Sequence, residues 1–157
     1  MTTPDPFPKV CPHCYGRVYL CTNDVIYGRQ YGYPWIYYCP TCGAYVGCHK
    51  GTFRALGRLA NSEERRQRKE LHDLFDTLWK GKKHSHYKRS VAYRELSIRL
   101  YGDNGEAHFG WMPKAELDKA HIVVCNMLFE LSENPNVWQL WSKAKGQGTG
   151  ASHWSKA

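Results

Sequence analysis

Residues 11–14 read CPHC and residues 39–43 read CPTCG, and the fold depends on whether these two stretches act together. A two-residue spacer lets both thiolates of a C-x-x-C pair point inward around one ion, and two such hooks supply the four sulfurs of a closed tetrahedral zinc shell. Pro12 and Pro40 preset the turn after the first cysteine of each hook. Gly43 follows the second hook directly and Gly16 follows the first one residue later, where a positive φ is expected. Cys11, Cys14, Cys39 and Cys42 are therefore the candidate metal ligands, with structural zinc as the expected cofactor. A rubredoxin-like iron centre shares the hook spacing and is the redox alternative; the colour of the purified protein separates the two.

Between the hooks lie 24 residues, including RVYLCTNDVIYGRQYGYPWIYY, rich in Tyr, Val, Ile and Trp and broken at ND, YG and GYP. The pattern predicts two or three short antiparallel strands joined by turns. Hook, hairpin and hook together are the layout of a zinc ribbon over residues 1–50. Just beyond, VGCHKGT places Cys48 beside His49, which raises the question of a second metal site with Cys21. No further ligand pair stands at hook spacing, so the two cysteines are read as small packed residues and His49 as a surface group.

The texture then changes to helix. In ANSEERRQRKELHDLFDTLWKG, Asn61 can cap a helix, Glu64 can complete a capping box, and Leu71, Leu74, Phe75 and Leu78 recur at helical spacing before Gly81. GKKHSHYKRS reads as a basic link, either a phosphate grip with Tyr87 available for stacking or a plain soluble turn. SVAYRELSIRLYG gives a second helix, with Tyr93, Leu96 and Leu100 facing inward and Gly102 as C-cap. A third runs from Pro113 with Leu117, His121, Val124, Leu128 and Leu131 in one stripe and Cys125 packed beside it. NPNVWQLWSKAKG suggests a short last helix. The expected architecture is α+β, an N-terminal four-Cys ribbon packed on a three- to four-helix region at 51–145, with a flexible tail at 146–157.

Composition narrows the partner class. Of 157 residues, 42% are hydrophobic and 14% aromatic, which is enough large apolar surface for a packed core. Lys and Arg outnumber Asp and Glu by 22 to 14, and a formal charge of +8 favours an anionic partner. Arg65, Arg66, Arg68, Lys82, Lys83, Lys88 and Arg89 are the candidate nucleic-acid contacts, to DNA or RNA. A host protein is the alternative partner, met by the aromatic surface around Tyr31, Tyr33 and Trp35. The opening MTTPDPFPKV has neither a basic n-region nor an apolar h-region, and no stretch is long and apolar enough to span a membrane. A cytoplasmic setting is therefore expected. In a reducing compartment, seven cysteines, an odd count that leaves one over in any all-disulfide scheme, point to metal.

No Gly-rich phosphate loop, G-x-S-x-G elbow or H-E-x-x-H occurs. An enzyme would have to assemble scattered residues, and the weak candidates are His49, Arg89, Tyr93 and His108 with Asp73 or Asp76, a set that could serve a metal-dependent nuclease.

The ordered series YCPTCGAYVGCHKGTFRALGRLANSEERRQRKELHDLFDTLWK, then RSVAYRELSIRLYG and HFGWM, resembles a family of small uncharacterised zinc-finger-containing proteins encoded mainly by bacteriophages and prophages. The resemblance runs from about Cys11 to Met127 and implies that the four hook cysteines are metal ligands. It also marks His49, Gly51, Thr52, Leu56, Gly57, Arg65, His72, Trp79, Arg89, Tyr93 and His108 as recurrent positions. Ala55 stands where the resemblance leads one to expect proline. No activity follows from it; what it implies is a phage or prophage setting in a bacterial host cell, with action on nucleic acid or on host machinery.

Overall fold

Each hook is followed by sequence that can only be extended, and the sheet grows from there. In the computed structural model, which describes residues 5–103 and 105–143, strands β1 (Tyr19–Thr22), β2 (Trp35–Tyr38) and β3 (Tyr45–Gly47) form one antiparallel sheet in that order. The expected tail at 146–157, and residues 144–145 of the expected helical region, lie outside the described residues. Two strands fall between the hooks as anticipated, but the third follows the second hook, in AYVG. Between β1 and β2 the chain makes one helical turn, α1 (Asp24–Tyr27), closed by Gly28 at φ 76°. Buried Asn23 clamps the return loop: its side-chain amide donates to the Tyr31 carbonyl at 2.6 Å and its oxygen accepts from the Tyr31 N–H at 3.0 Å.

Alternation sets the two faces of the sheet. Leu20, Tyr37 and Val46 are opposite one another across the strands, and Tyr37 enters the core beneath the hooks with Val18, Ala44, Cys48, Ala55 and Leu59. Tyr19, Tyr38 and Tyr45 form the matching row on the other face. Ala55 is buried and its N–H donates to the Pro6 carbonyl at 2.8 Å. A proline at 55 has no N–H and would forfeit this bond.

Five α-helices stand among the described residues, the four after α1 being α2 (Ser62–Asp76), α3 (Ser85–Tyr101), α4 (Lys114–Glu133) and α5 (Val137–Lys143). Asn61 caps α2 as read, its side-chain oxygen accepting the Glu64 N–H at 2.8 Å. The helix proper ends at Asp76 rather than near Gly81, because its last turn tightens: Leu78 N–H reaches the Phe75 carbonyl at 3.0 Å, which turns Leu78 fully inward. The basic link is largely helix. Nothing between Ser85 and Ser90 breaks one, so α3 starts five residues before the expected Ser90 and takes in His86, Tyr87, Lys88 and Arg89. Gly102 ends it at φ 78°, its N–H returning to the Ile98 carbonyl.

The buried stripe of α4 is Leu117, Ala120, Val124 and Met127: Leu117 and Val124 are as expected, while Ala120 and Met127 take the places expected of His121 and Leu128. His121 and Cys125 are consequently exposed rather than packed. α3 packs on α4 and α5, and Arg99 ties two helices together: its guanidinium donates to Glu95 at 2.6 Å within α3 and to both carboxylate oxygens of Glu130 on α4 at 2.6 and 2.7 Å. By compactness the described chain divides into residues 5–67 with 110–113, which hold the sheet, and residues 68–109 with 114–143, which hold α3 to α5. No helix among the described residues is long and apolar enough to cross a membrane.

Candidate metal centre

The two hooks are built alike. Cys11 N–H donates to the Gly16 carbonyl at 2.8 Å and Cys39 N–H to the Ala44 carbonyl at 2.9 Å. Tyr15 and Gly43 N–H return to the carbonyls of Cys11 and Cys39 at 2.9 and 2.8 Å. That geometry forces a positive φ on the residue after each second cysteine, 62° at Tyr15 and 83° at Gly43. The expected positive φ at Gly16 is thus at Tyr15 instead. Gly16 is required for space, since a Cβ there would sit 2.9 Å from Thr41 Oγ1 and 3.1 Å from Cys14 Sγ.

The turns bring the four sulfurs within 4.8 Å of one another, with Cys11 Sγ 3.6 Å from Cys42 Sγ and Cys14 Sγ 3.5 Å from Cys39 Sγ. Four Zn–S bonds of about 2.3 Å in a tetrahedron put sulfurs about 3.8 Å apart, so the donor set fits zinc. Backbone N–H groups already point at the sulfurs, His13 N–H to Cys11 at 3.4 Å and Gly16 N–H to Cys14 at 3.3 Å. The thiols differ in acidity. Burial pushes Cys39 up, but the N–H groups of Cys42 and Thr41 and the adjoining thiols outweigh it and hold it down at about 7. Burial raises Cys11. At Cys14 the Gly16 N–H lowers the thiol, yet burial and the three neighbouring sulfurs together push it up to about 12. Opposed shifts within one sulfur cluster are what a missing cationic counter-charge produces. When bound, zinc supplies a four-way cross-link with no coordination position left for water.

Behind the first hook stands a polar brace that composition alone did not reveal. His13 Nε2 lies 2.9 Å from the Leu59 carbonyl and 3.1 Å from buried Glu64, whose other oxygen lies 3.8 Å from Arg58 Nε. Glu64, whose N–H takes the Asn61 cap, thus ties α2 to the hook through its side chain. The sequence signal was a histidine inside CPHC facing no fifth ligand position.

The zinc-finger-containing domain family DUF3268 matches residues 7–127, well over half of the chain. The chain belongs to this family. No curated protein and no solved structure matches it. In this zinc-finger-containing domain the four hook cysteines are a structural zinc site. Among the described residues they are also the one group of three or more Cys, His, Asp or Glu placed to share an ion. Cys48 is buried and Cys21 half-buried, while His49 is exposed in a turn closed by its own N–H to the Arg54 carbonyl.

Of the other candidate residues, Arg89, Tyr93 and Asp76 are brought together. Arg65 and Arg68 spend their guanidinium groups on backbone carbonyls, Arg65 on Ala60 at 2.5 Å and Arg68 on Phe109 at 3.1 Å. Lys88 lies over the Trp138 ring, and Arg89 lies 4.8 Å from the Tyr93 ring centroid. Arg66, Lys82 and Lys83 are exposed. Of the weak catalytic set, Tyr93 is buried against Phe75 at 4.7 Å, and burial raises its hydroxyl despite Arg89. His108 pairs with Glu106 at 2.8 Å, and His49 belongs to the unit that holds the sheet. Of the expected aromatic surface, Tyr31 is exposed. Tyr33 donates to the Thr52 carbonyl at 2.7 Å and Trp35 packs edge-on to Phe53, so both are half-buried.

Proposed function

We propose that this zinc-finger-containing domain binds nucleic acid, with the zinc holding structure rather than performing chemistry. The observation that carries the reading is the start of α3: Lys82, Lys83 and His84 are exposed directly before it, His86 is exposed in its first turn, and that turn contains no acidic residue. The two lysines at the positive end of a helix dipole repel it and one another, an arrangement relieved by a bound polyanion. The formal charge of +8 supports the same partner class. The resemblance of the ordered motifs extends the proposal to a phage or prophage setting in the bacterial cytoplasm.

The test is salt dependence. Zinc-loaded protein titrated onto DNA and RNA should lose affinity steeply as salt rises, and Lys82→Glu with Lys83→Glu should flatten the log–log slope by about one to two. An unchanged slope would move the contacts elsewhere. Absence of binding, with or without magnesium, would end the reading.

A protein-binding role is the second reading, favoured by Ile122 and Phe129 on α4 and Leu140 on α5, which are 62%, 63% and 61% exposed and so present apolar surface to a partner. A partner captured from host lysate that survives nuclease treatment and is lost in Phe129→Ser would support it.

A further inference from the structure

The tyrosines of the sheet unit are arranged in a way that the zinc site does not explain. Tyr19, Tyr38 and Tyr45 lie in register across β1, β2 and β3 on the face turned away from the hook core. An arginine covers a ring at each end of this row: Arg17 lies 5.1 Å from the Tyr19 centroid and Arg65 lies 3.7 Å from that of Tyr45. The row continues past Tyr45, whose hydroxyl lies 3.3 Å from that of Tyr27, and the Tyr27 and Tyr31 rings are 6.0 Å apart. Tyr19, Tyr27 and Tyr31 are 46%, 51% and 66% exposed, far more than a core role would leave. Buried Asn23 fixes the loop that presents Tyr31 through its two backbone hydrogen bonds.

We infer that the exposed tyrosines of this row are a stacking platform for single-stranded nucleic acid, with bases laid on the rings of Tyr19, Tyr27 and Tyr31 and phosphate taken by exposed Arg17, while Arg65, held by the Ala60 carbonyl, fixes Tyr45 at the row's other end. The inference rests on the nucleic-acid reading above and adds to it a strand type and a site. The charge balance selects this occupant over a protein segment: from residue 6 to residue 62 the chain carries Asp24 as its sole carboxylate, against Lys9, Arg17, Arg29, Lys50, Arg54 and Arg58. A ring face accepts any base once it is unstacked, and a duplex offers no such face, so single strands are preferred. DNA and RNA share this chemistry.

The experiment is fluorescence anisotropy on the zinc-loaded full chain, with labelled oligothymidylate, oligouridylate and a mixed-sequence duplex, all about 15 nucleotides long. Single strands should bind more tightly than duplex. Tyr19→Ala with Tyr31→Ala should weaken single-strand binding by about ten-fold or more, while Tyr19→Phe with Tyr31→Phe stays near the parent. Zinc content and circular dichroism of the alanine variant show that it folds. The deoxy and ribo arms decide which polymer is the natural ligand. Loss of affinity in the Lys82→Glu, Lys83→Glu protein but not in the folded tyrosine variant would overturn the platform and leave the basic-helix reading standing. Duplex binding as tight as single-strand binding would also overturn the platform. No binding by any probe would overturn both.

Discussion

Tyr15 carries a side chain where its counterpart in the second hook, Gly43, has none, and both have a left-handed φ, of 62° and 83°. That conformation costs a non-glycine residue about 1–2 kcal/mol, offset in part by the greater freedom glycine loses on folding. Tyr15→Gly should therefore stabilise the protein by up to about 1 kcal/mol, read as a higher urea midpoint at unchanged zinc content. Gly57 has the opposite constraint. A Cβ there would sit 2.3 Å from the Gly110 carbonyl oxygen, which already accepts the Arg58 N–H at 2.8 Å, so Gly57→Ala must push backbone against backbone. A loss of about 1–3 kcal/mol is expected in the same titration. At this scale the cysteines were legible because their spacing is itself the chemistry. The positive φ at Tyr15 was not, since nothing in its side chain signals a left-handed backbone, and glycine one residue on drew the reading to itself. His13 was equally silent, because its partners Leu59 and Glu64 are distant in sequence and meet it only after folding.

Between elements, the Arg99 bridge from α3 to α4 is the feature with a pH signature. Its guanidinium holds the Glu130 carboxyl below the ordinary 4.5, so the pair contributes stability above that pH and loses it as pH falls through the lowered folded value. Glu130 is 41% exposed, which limits the contribution to about 1 kcal/mol. Glu130→Gln should lower the thermal midpoint at neutral pH, and the difference from the parent should shrink as pH falls below 4.5 and vanish once it has passed the lowered folded value, where both carry a neutral side chain. Phe75, fully buried and edge-on to Tyr93 and Phe109, is a harsher test of the same unit; Phe75→Ala should cost about 3–5 kcal/mol. Helix existence was legible from apolar spacing, and the caps at Asn61 and Gly102 from residue type. Helix edges were not. Lys82 to Arg89 carries the charge of a loop with the propensities of a helix, and the inward face of α4 is chosen by α3 and α5 rather than marked by His121 and Cys125.

For the whole molecule, zinc connects what the chain order separates, two ligands before β1 and two between β2 and β3. The sheet unit is small for a self-sufficient core, and structural zinc sites contribute on the order of 10 kcal/mol. Chelation, or Cys39→Ser, should strip hydrogen-exchange protection from the amides of β1 to β3; a sheet that kept its protection without metal would show that the apolar core alone suffices. The α+β class and the ribbon were legible in two short motifs, whereas β3 was missed because three residues of AYVG carry too little alternation to announce a strand. The metal also governs timing. Antiparallel strands this short can slide, and a slip of one residue would turn Tyr37 out of the core and carry Cys39 about 3.3 Å along the strand, out of reach of its partner sulfurs. All four ligands precede β3 in the chain, so an ion captured as Cys42 emerges from the ribosome can lock β1 and β2 in frame before β3 is free to pair. A nascent chain short of zinc has to search the alternative frames unaided, with an unfinished sheet edge open to its neighbours.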